Sequence, residues 1–123
     1  MASKYEIITA LYRESVKGLA KNHHTWTAFL HSACYNYRLP FDEQVLIHAQ
    51  RPHATAVLEI EGKNGWNQKF GRWVNRYATG IAVFDRHHAG RQRLKYYFDI
   101  SDTHESRFAR PVPIWEYKPE YEA

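Results

Sequence analysis

The 123-residue sequence has a single cysteine, Cys34, and no long apolar segment. One cysteine cannot form an internal disulfide, so a reducing compartment such as the cytoplasm is expected. No apolar run approaches the ~18 residues that a membrane-spanning helix needs. Glu6, Arg13 and Glu14 interrupt the N-terminal segment, which therefore does not resemble a secretory signal peptide. We expect a cytoplasmic protein with no membrane partner.

The sequence also lacks the motifs of nucleophilic and phosphate-dependent enzymes. It contains no Gly-x-Ser-x-Gly segment, and Gly62, Gly65 and Gly71 are not followed by the Gly-Lys-Ser/Thr of a phosphate-binding loop. Cys34 lies within an apolar helical stripe, where a buried cysteine serves as a small hydrophobic residue rather than as a nucleophile. The sequence predicts no catalytic residue and no cofactor, and we expect that the protein is not an enzyme.

Metal-ligating side chains are present, but their spacing is unfavourable. His23-His24 and His87-His88 are adjacent pairs whose side chains diverge, whereas zinc ligands usually recur at spacings such as i and i+4. His104-Glu105 begins like the His-Glu-x-x-His motif of metalloproteases, but Phe108 stands where the second histidine is required. The sequence predicts no metal site. A metal-dependent enzyme that uses His87, His88 or His104 is an alternative.

Three N-terminal segments have the periodicity of amphipathic helices, with apolar residues at three- and four-residue steps. The segments run from Tyr5 to Leu19, from Trp26 to Tyr37 and from Glu43 to Gln50, and Thr25 and Asp42 are the expected caps of the last two. The second segment has the clearest apolar stripe, which we expect to face the core. The stripe consists of Trp26, Phe29, Leu30, Ala33, Cys34 and Tyr37.

From Ala54 onwards the apolar period changes to two, which indicates β-strands. Strands are predicted over 54–60, at Trp73-Val74 and over 81–84, and residues 85–93 form a hairpin loop before a returning strand. The predicted faces of the returning strand are Leu94, Tyr96, Phe98 and Ile100 inward, and Arg93, Lys95, Tyr97 and Asp99 outward. Helices followed by strands predict an α+β fold, with three N-terminal helices packed on a small, mainly antiparallel sheet.

The C-terminal segment has a different character from the rest of the chain. Periodicity ends after residue 103, and Pro111, Pro113 and Pro119 keep the backbone extended. We predict one domain over residues 1–103 and an extended tail or linker over 104–123, which either wraps the domain or leads elsewhere.

Basic and aromatic residues are the chemically informative part of the sequence. The net charge is +4, and aromatic residues make up 15% of the chain, more than a core of this size requires. Single-stranded nucleic acid is bound by cations that contact phosphates and by exposed rings on which bases stack. We predict phosphate contacts by Lys69, Arg72, Arg76, Arg91, Arg93 and Lys95, and stacking by one or more of Trp73, Tyr77 and Tyr97. The alternatives are a core position for Trp73 and ordinary solvation or edge protection for the cations.

An ordered set of short segments runs through residues 5–103. They are Trp26-Thr27-Ala28-Phe29-Leu30 with Ala33 and Tyr35, then Val45 to Pro52, Ala54 to Val57, Trp66 with Gly71-Arg72 and Val74, and Gly80-Ile81. Together they resemble the N-terminal single-stranded-DNA-binding domain of ArdC-type antirestriction proteins. The resemblance is closer still to the leading segment of large conjugative-element and phage proteins that carry helicase and DNA-methyltransferase domains downstream. Residues 75–79 depart from the family pattern, in which a lysine-and-glycine turn is usual.

The resemblance implies a non-catalytic module of a mobile-element protein that binds single-stranded DNA without base specificity. It also directs attention to Gln50 and Arg51, which are expected to reach a strand from the end of the third helix. Arg51 is therefore a further candidate for DNA contact, and interaction with the helix dipole is its alternative role. The alternative function is a protein-interaction or antirestriction module that acts on a host defence protein or on downstream helicase and methyltransferase domains. The charge of +4 argues against a DNA mimic, which would be acidic.

Overall fold

The structure, a computed structural model, describes residues 2–86 and 93–116. Its helices are α1 (Lys4–Leu19), α2 (His23–Tyr35), α3 (Phe41–Gln50) and α4 (Trp66–Phe70). Its strands are β1 (Val57–Leu58), β2 (Arg72–Val74), β3 (Ile81–Phe84), β4 (Leu94–Asp99) and β5 (Thr103–Glu105), with a 3-10 turn over Ile100–Asp102. The strand pairs are antiparallel, so the predicted α+β class is confirmed.

The first helix begins at a capping box. The Ser3 hydroxyl accepts a hydrogen bond from the Glu6 backbone N–H, and the Glu6 carboxylate accepts one from the Ser3 N–H. The predicted caps of the next two helices are wrong. Asn22 caps α2 by accepting from the Thr25 N–H at 2.8 Å, so Thr25 already lies inside the helix. Pro40 is the N-cap of α3, and Asp42 lies in its first turn.

The three N-terminal helices pack through α3. Helices α1 and α2 contact α3, and α3 contacts β3. The main core contains Ile8 of α1, Leu46 and Ile47 of α3, and Ile81 and Val83 of β3. A second cluster joins Leu19, Phe29 and Val45. The predicted packing of three helices on a small sheet is thus confirmed: α3 packs against β3, and α1 also reaches β3, where the Tyr5 ring lies 5.4 Å from that of Phe84.

The larger sheet has the order β1-β4-β3. Strands β3 and β4 pair from Ile81↔Tyr97 to Phe84↔Leu94, as expected for the predicted hairpin. Residues 87–92 of its connection lie outside the described residues. Strand β1 pairs with the far end of β4 at Val57↔Asp99.

The predicted faces of β4 hold at Arg93, which is exposed, and at Leu94, which packs against the core, but they are reversed from Lys95 to Asp99. Tyr97 is only 7% exposed, whereas Tyr96 lies on the outside. The inward residues are held by polar partners: the Tyr97 hydroxyl donates to Glu43 Oε1 at 2.5 Å, and Asp99 Oδ1 accepts from the backbone N–H groups of Thr55 and Ala56. Hydropathy does not detect such partners. It also does not distinguish the two faces here, because each face of the strand contains a tyrosine.

A glutamine side chain covers part of the free edge of β3. Gln50 Nε2 donates to the Ala82 carbonyl at 2.9 Å, and the Ala82 N–H donates to Gln50 Oε1 at 3.0 Å. The side-chain amide thereby pairs with β3 as a neighbouring strand would, which protects the edge from association with another chain. The expectation that Gln50 reaches a strand from the end of α3 is confirmed.

Strands β2 and β5 form a separate two-stranded ribbon. Their pairing is Arg72↔Glu105, Trp73↔His104 and Val74↔Thr103. The domain boundary that was predicted after residue 103 therefore falls inside β5. The tail then crosses α4, where the Arg110 N–H donates to the Phe70 carbonyl, and reaches α2, where Trp115 meets the Tyr35 ring at 5.6 Å. Up to residue 116, the segment wraps the domain.

Gly71 is required at the junction of α4 and β2. Its φ is 62°, and a Cβ at this position would lie 2.5 Å from the Phe108 carbonyl oxygen. We expect Gly71→Ala to lower the free energy of unfolding by about 2 kcal/mol or more, because left-handed strain adds to a backbone clash. Gly18 is the matched control, since nothing lies within 4 Å of its added Cβ. Gly18→Ala in α1 is expected to raise the free energy of unfolding by roughly 0.5–1 kcal/mol. Urea denaturation measures both variants. Equal stability of the Gly71 variant and the wild type would contradict this geometry.

Candidate nucleic-acid interface

The outward face of the β2–β5 ribbon carries an exposed tryptophan. Trp73 is 53% exposed and lies directly opposite His104. Side chains of directly opposed residues project from the same face of an antiparallel pair. His104 Nδ1 lies 2.6 Å from Asn75 Oδ1, within hydrogen-bonding distance. Trp73 is thus a surface residue beside a fixed imidazole, and the core alternative for it is wrong.

The turn after β2 carries a second exposed ring. Tyr77 is 87% exposed, and its backbone lies in the turn in which the Ala78 N–H donates to the Asn75 carbonyl. The Arg76 guanidinium lies 5.5 Å from the centre of the Tyr77 ring. A flat cation beside a ring provides a phosphate contact and a stacking surface together. Trp73 and Tyr77, the two rings whose exposure the sequence left open, both face solvent.

Other cations of this region also lie beside rings. Lys69 Nζ is 5.6 Å from the Phe70 ring centre, and the Arg107 guanidinium is 5.4 Å from that of Phe108. Arg110 Nη1 donates to the carbonyls of Gln68 and Lys69 at the end of α4, while the residue remains exposed. We call residues 62–84 and 103–115 the ribbon region.

Positive charge is concentrated in the ribbon region. It contains six lysine or arginine residues and one carboxylate, Glu105, a net charge of +5 compared with +4 for the whole chain. Residues 62–84 contain no aspartate or glutamate. Burial, with a smaller contribution from nearby His53, lowers the pKa of His48, which favours the neutral form of this histidine. The basic character of the protein therefore resides largely in one part of its surface.

Two of the predicted DNA contacts are engaged within the fold. The Arg72 side chain is only 13% exposed, donates from Nε to Thr103 Oγ1 at 2.8 Å and lies 3.5 Å from Glu105. Arg51 Nη2 lies 2.8 Å from Asp102 Oδ2 and also donates to the Thr79 carbonyl. Arg72 and Arg51 therefore stabilise the ribbon and its junction with α3, and their charge is compensated by adjacent carboxylates.

The predicted hairpin contacts are also altered by internal pairing. Lys95 Nζ lies 3.7 Å from Glu43 Oε2, with only 17% of its side chain exposed. Burial, then the hydrogen bond to Glu43, raises the pKa of Tyr97 well above its ordinary value. Tyr97 is therefore neutral and enclosed, and the prediction that it is exposed for stacking is wrong. Arg93 is exposed, and Arg91 lies outside the described residues.

Sequence reasoning missed the contribution of the tail. His104, Arg107, Phe108 and Arg110 belong to the ribbon region, but they had been assigned to a linker. Their sequence signal is the pair Arg107-Phe108, which repeats the combination of cation and ring at Arg76-Tyr77. The pairing of β2 with β5 brings the two stretches together across about thirty residues of sequence, and single-sequence periodicity does not reveal such pairing.

Other kinds of site find little support in the part of the chain that the structure describes. No three His, Cys, Asp or Glu side chains within 2–86 and 93–116 are grouped so that they could hold a metal ion. Cys34 is half-buried rather than fully enclosed. None of the helices that the structure describes has the length and apolar character needed to cross a bilayer.

Comparisons with known proteins yield no relative. Scans against protein-family models, curated proteins and solved structures each gave no match. The chemistry of the ribbon region must therefore be judged from its own geometry and charge.

Proposed function

We propose that this protein is a non-catalytic module that binds single-stranded DNA without base specificity through the ribbon region. The observation that carries the proposal is the pair of exposed rings, Trp73 and Tyr77, beside Arg76 in a segment free of carboxylates. Such a surface offers stacking to any base and charge to the backbone. The resemblance to ArdC-type domains supports the same function and suggests a role in a mobile genetic element.

The cations expected to contact phosphates are those that are exposed and not paired with a carboxylate in the structure described. In the ribbon region they include Lys69, Arg76, Arg107 and Arg110, and Arg93 extends the set toward the hairpin. Arg72 instead holds β5 beside β2, through Thr103. This division changes which substitutions test binding, because replacing Arg72 would disturb the ribbon itself.

Salt dependence tests the proposal. Binding of a fluorescein-labelled oligothymidine is measured by anisotropy between 50 and 200 mM NaCl. If about four phosphates are neutralised, the association constant falls about 50-fold over this range, from a slope of roughly −0.7 per contact on logarithmic axes. Lys69→Ala combined with Arg76→Ala should reduce that slope by about 1.4. The matched control is Lys4→Ala with Arg13→Ala, two exposed cations of α1. Absence of binding at 50 mM, or equal slopes for the two double variants, would refute the proposal.

A further inference from the structure

Helix α2 has three distinct faces, and one of them is an open apolar surface. Phe29, Ser32 and Asn36 are buried against the rest of the domain. On a second face, the Tyr35 ring lies between His31, at 6.0 Å, and Trp115 of the tail, at 5.6 Å. The third face holds exposed Trp26 and Leu30, whose fractions of exposure are 42% and 45%. Half of the apolar stripe that was expected in the core therefore lies outside it.

The open surface extends beyond the C-terminal end of α2. Tyr37 is exposed just after the helix, with the Arg38 guanidinium 5.4 Å from its ring centre. Phe41, the first residue of α3, is also exposed and meets Phe29 edge-on at 5.8 Å. Phe29 in turn lies 5.7 Å from Trp26, so the two exposed rings flank one buried ring. We call Trp26, Leu30, Tyr37 and Phe41 the α2 patch.

The sequence segment that forms the α2 patch carries charge of one sign. Residues 15–41 contain no aspartate or glutamate, but they contain Lys17, Lys21 and Arg38 together with three histidines. Lys17 is engaged by Glu14 of its own helix at 3.7 Å. Lys21 and Arg38 stand before and after α2, at opposite ends of the patch, and both are exposed. An apolar stripe with cations at its ends complements a ligand that is apolar along its centre and acidic at its flanks.

We propose that the α2 patch is a docking surface for an acidic amphipathic helix of another polypeptide. Trp26 and Leu30 are one turn apart on α2, the spacing of neighbours on one helix face, and Tyr37 and Phe41 continue the apolar surface past the end of the helix. Tryptophan, tyrosine and arginine are also the residues that dominate binding energy at protein interfaces. Leu30, at the centre, favours burial against apolar side chains, which base stacking does not require.

Charge disfavours a second copy of this chain as the occupant. Two α2 patches packed together would bring Lys21 and Arg38 of both copies into one interface that has no carboxylate within residues 15–41. Like charges that face each other across an interface weaken association. The α2 patch shares no residue with the ribbon region, so a failure of the proposed DNA binding and a failure of this docking surface are distinguishable.

A pair of designed peptides tests the proposal. The probe is an 18-residue fluorescein-labelled helix with leucine at heptad positions a and d and glutamate on both flanks, compared with a version in which every glutamate is lysine. The acidic peptide is expected to bind at least ten times more tightly than the lysine version. Leu30→Glu should weaken its binding at least tenfold, and Trp26→Ala should weaken it while leaving the melting temperature and oligothymidine affinity unchanged. Trp73→Ala, at the similarly exposed tryptophan of the ribbon region, should leave peptide binding unchanged.

Three results would overturn the proposal. The first is equal binding of the two peptides, or no binding of either. The second is a dimer in sedimentation experiments that Leu30→Glu dissociates, which would make a second copy the occupant. The third is a loss of oligothymidine affinity in Trp26→Ala, which would assign the α2 patch to the nucleic acid.

Discussion

Glu43→Ala is expected to lower the free energy of unfolding by about 3–5 kcal/mol, a large share of the stability of a domain of this size. Glu43 lies in the first turn of α3 and is 3% exposed. One carboxylate oxygen accepts from the Tyr97 hydroxyl, and the other lies 3.7 Å from Lys95 Nζ. Alanine would leave a largely buried ammonium and a buried hydroxyl without their partner, and buried unpaired groups are costly.

The control for Glu43 is a carboxylate without these partners. Glu61 is exposed, so Glu61→Ala should change stability by no more than about 0.5 kcal/mol. Glu43→Gln should fall between the two variants, because an amide oxygen still accepts from Tyr97 but no longer compensates Lys95. Urea denaturation at pH 7 measures all three. A Glu43→Ala protein as stable as the Glu61 variant would show that the pairing seen between α3 and β4 does not hold in solution.

The order and type of the main elements could be predicted from the sequence because they rest on local patterns. The stripe from Tyr5 to Leu19 and the apolar run from Ile81 to Phe84 follow from periodicity alone. Helix ends were predicted less well. Asn22 and Thr25 are both good capping residues, and three positions apart they compete for the same turn; in the structure, Asn22 accepts from Thr25.

The face that a residue presents was harder to predict because it is decided by distant partners. Lys95 and Tyr97 turn inward toward Glu43, which lies about fifty residues away in sequence. The stripe of α2 contains more apolar residues than the domain can cover, so Phe29 is buried while Trp26 and Leu30 are not. Hydropathy indicates which residues tend to be buried, but it does not indicate how much of the domain is available to cover them.

The candidate site changed for the same reason. A cation in a sequence has no visible partner, so Arg51, Arg72 and Lys95 seemed equivalent to Arg76. The structure pairs these three with Asp102, Glu105 and Glu43 respectively. These pairs stabilise the fold and compensate the charge of the three cations. The uncompensated positive charge near Trp73 and Tyr77 therefore comes from other residues, such as Arg76. Basic residues in this protein therefore divide into those that are paired within the fold and those that are free to bind a ligand.

The double variant Trp73→Ala with Tyr77→Ala is expected to weaken oligothymidine binding by about 30-fold or more. Each base stacked on a ring contributes about 1–3 kcal/mol, so two lost stacks cost about 2 kcal/mol at the least. Because both rings are exposed, the melting temperature should change little. The slope of affinity against salt should also be retained, since no cation is removed.

The matched control for this variant is Trp26→Ala with Tyr37→Ala, which removes an exposed tryptophan and an exposed tyrosine from the α2 patch. It should bind oligothymidine like the wild type. An oligonucleotide made of abasic sites is a second ligand for this comparison, because it offers phosphates without bases. The wild type and the Trp73–Tyr77 variant should bind it with equal affinity. If the variant instead loses affinity equally for both ligands, the two rings hold the ribbon in shape. If it loses affinity for neither, Trp73 and Tyr77 are not stacking platforms and the ribbon region binds only through its charge.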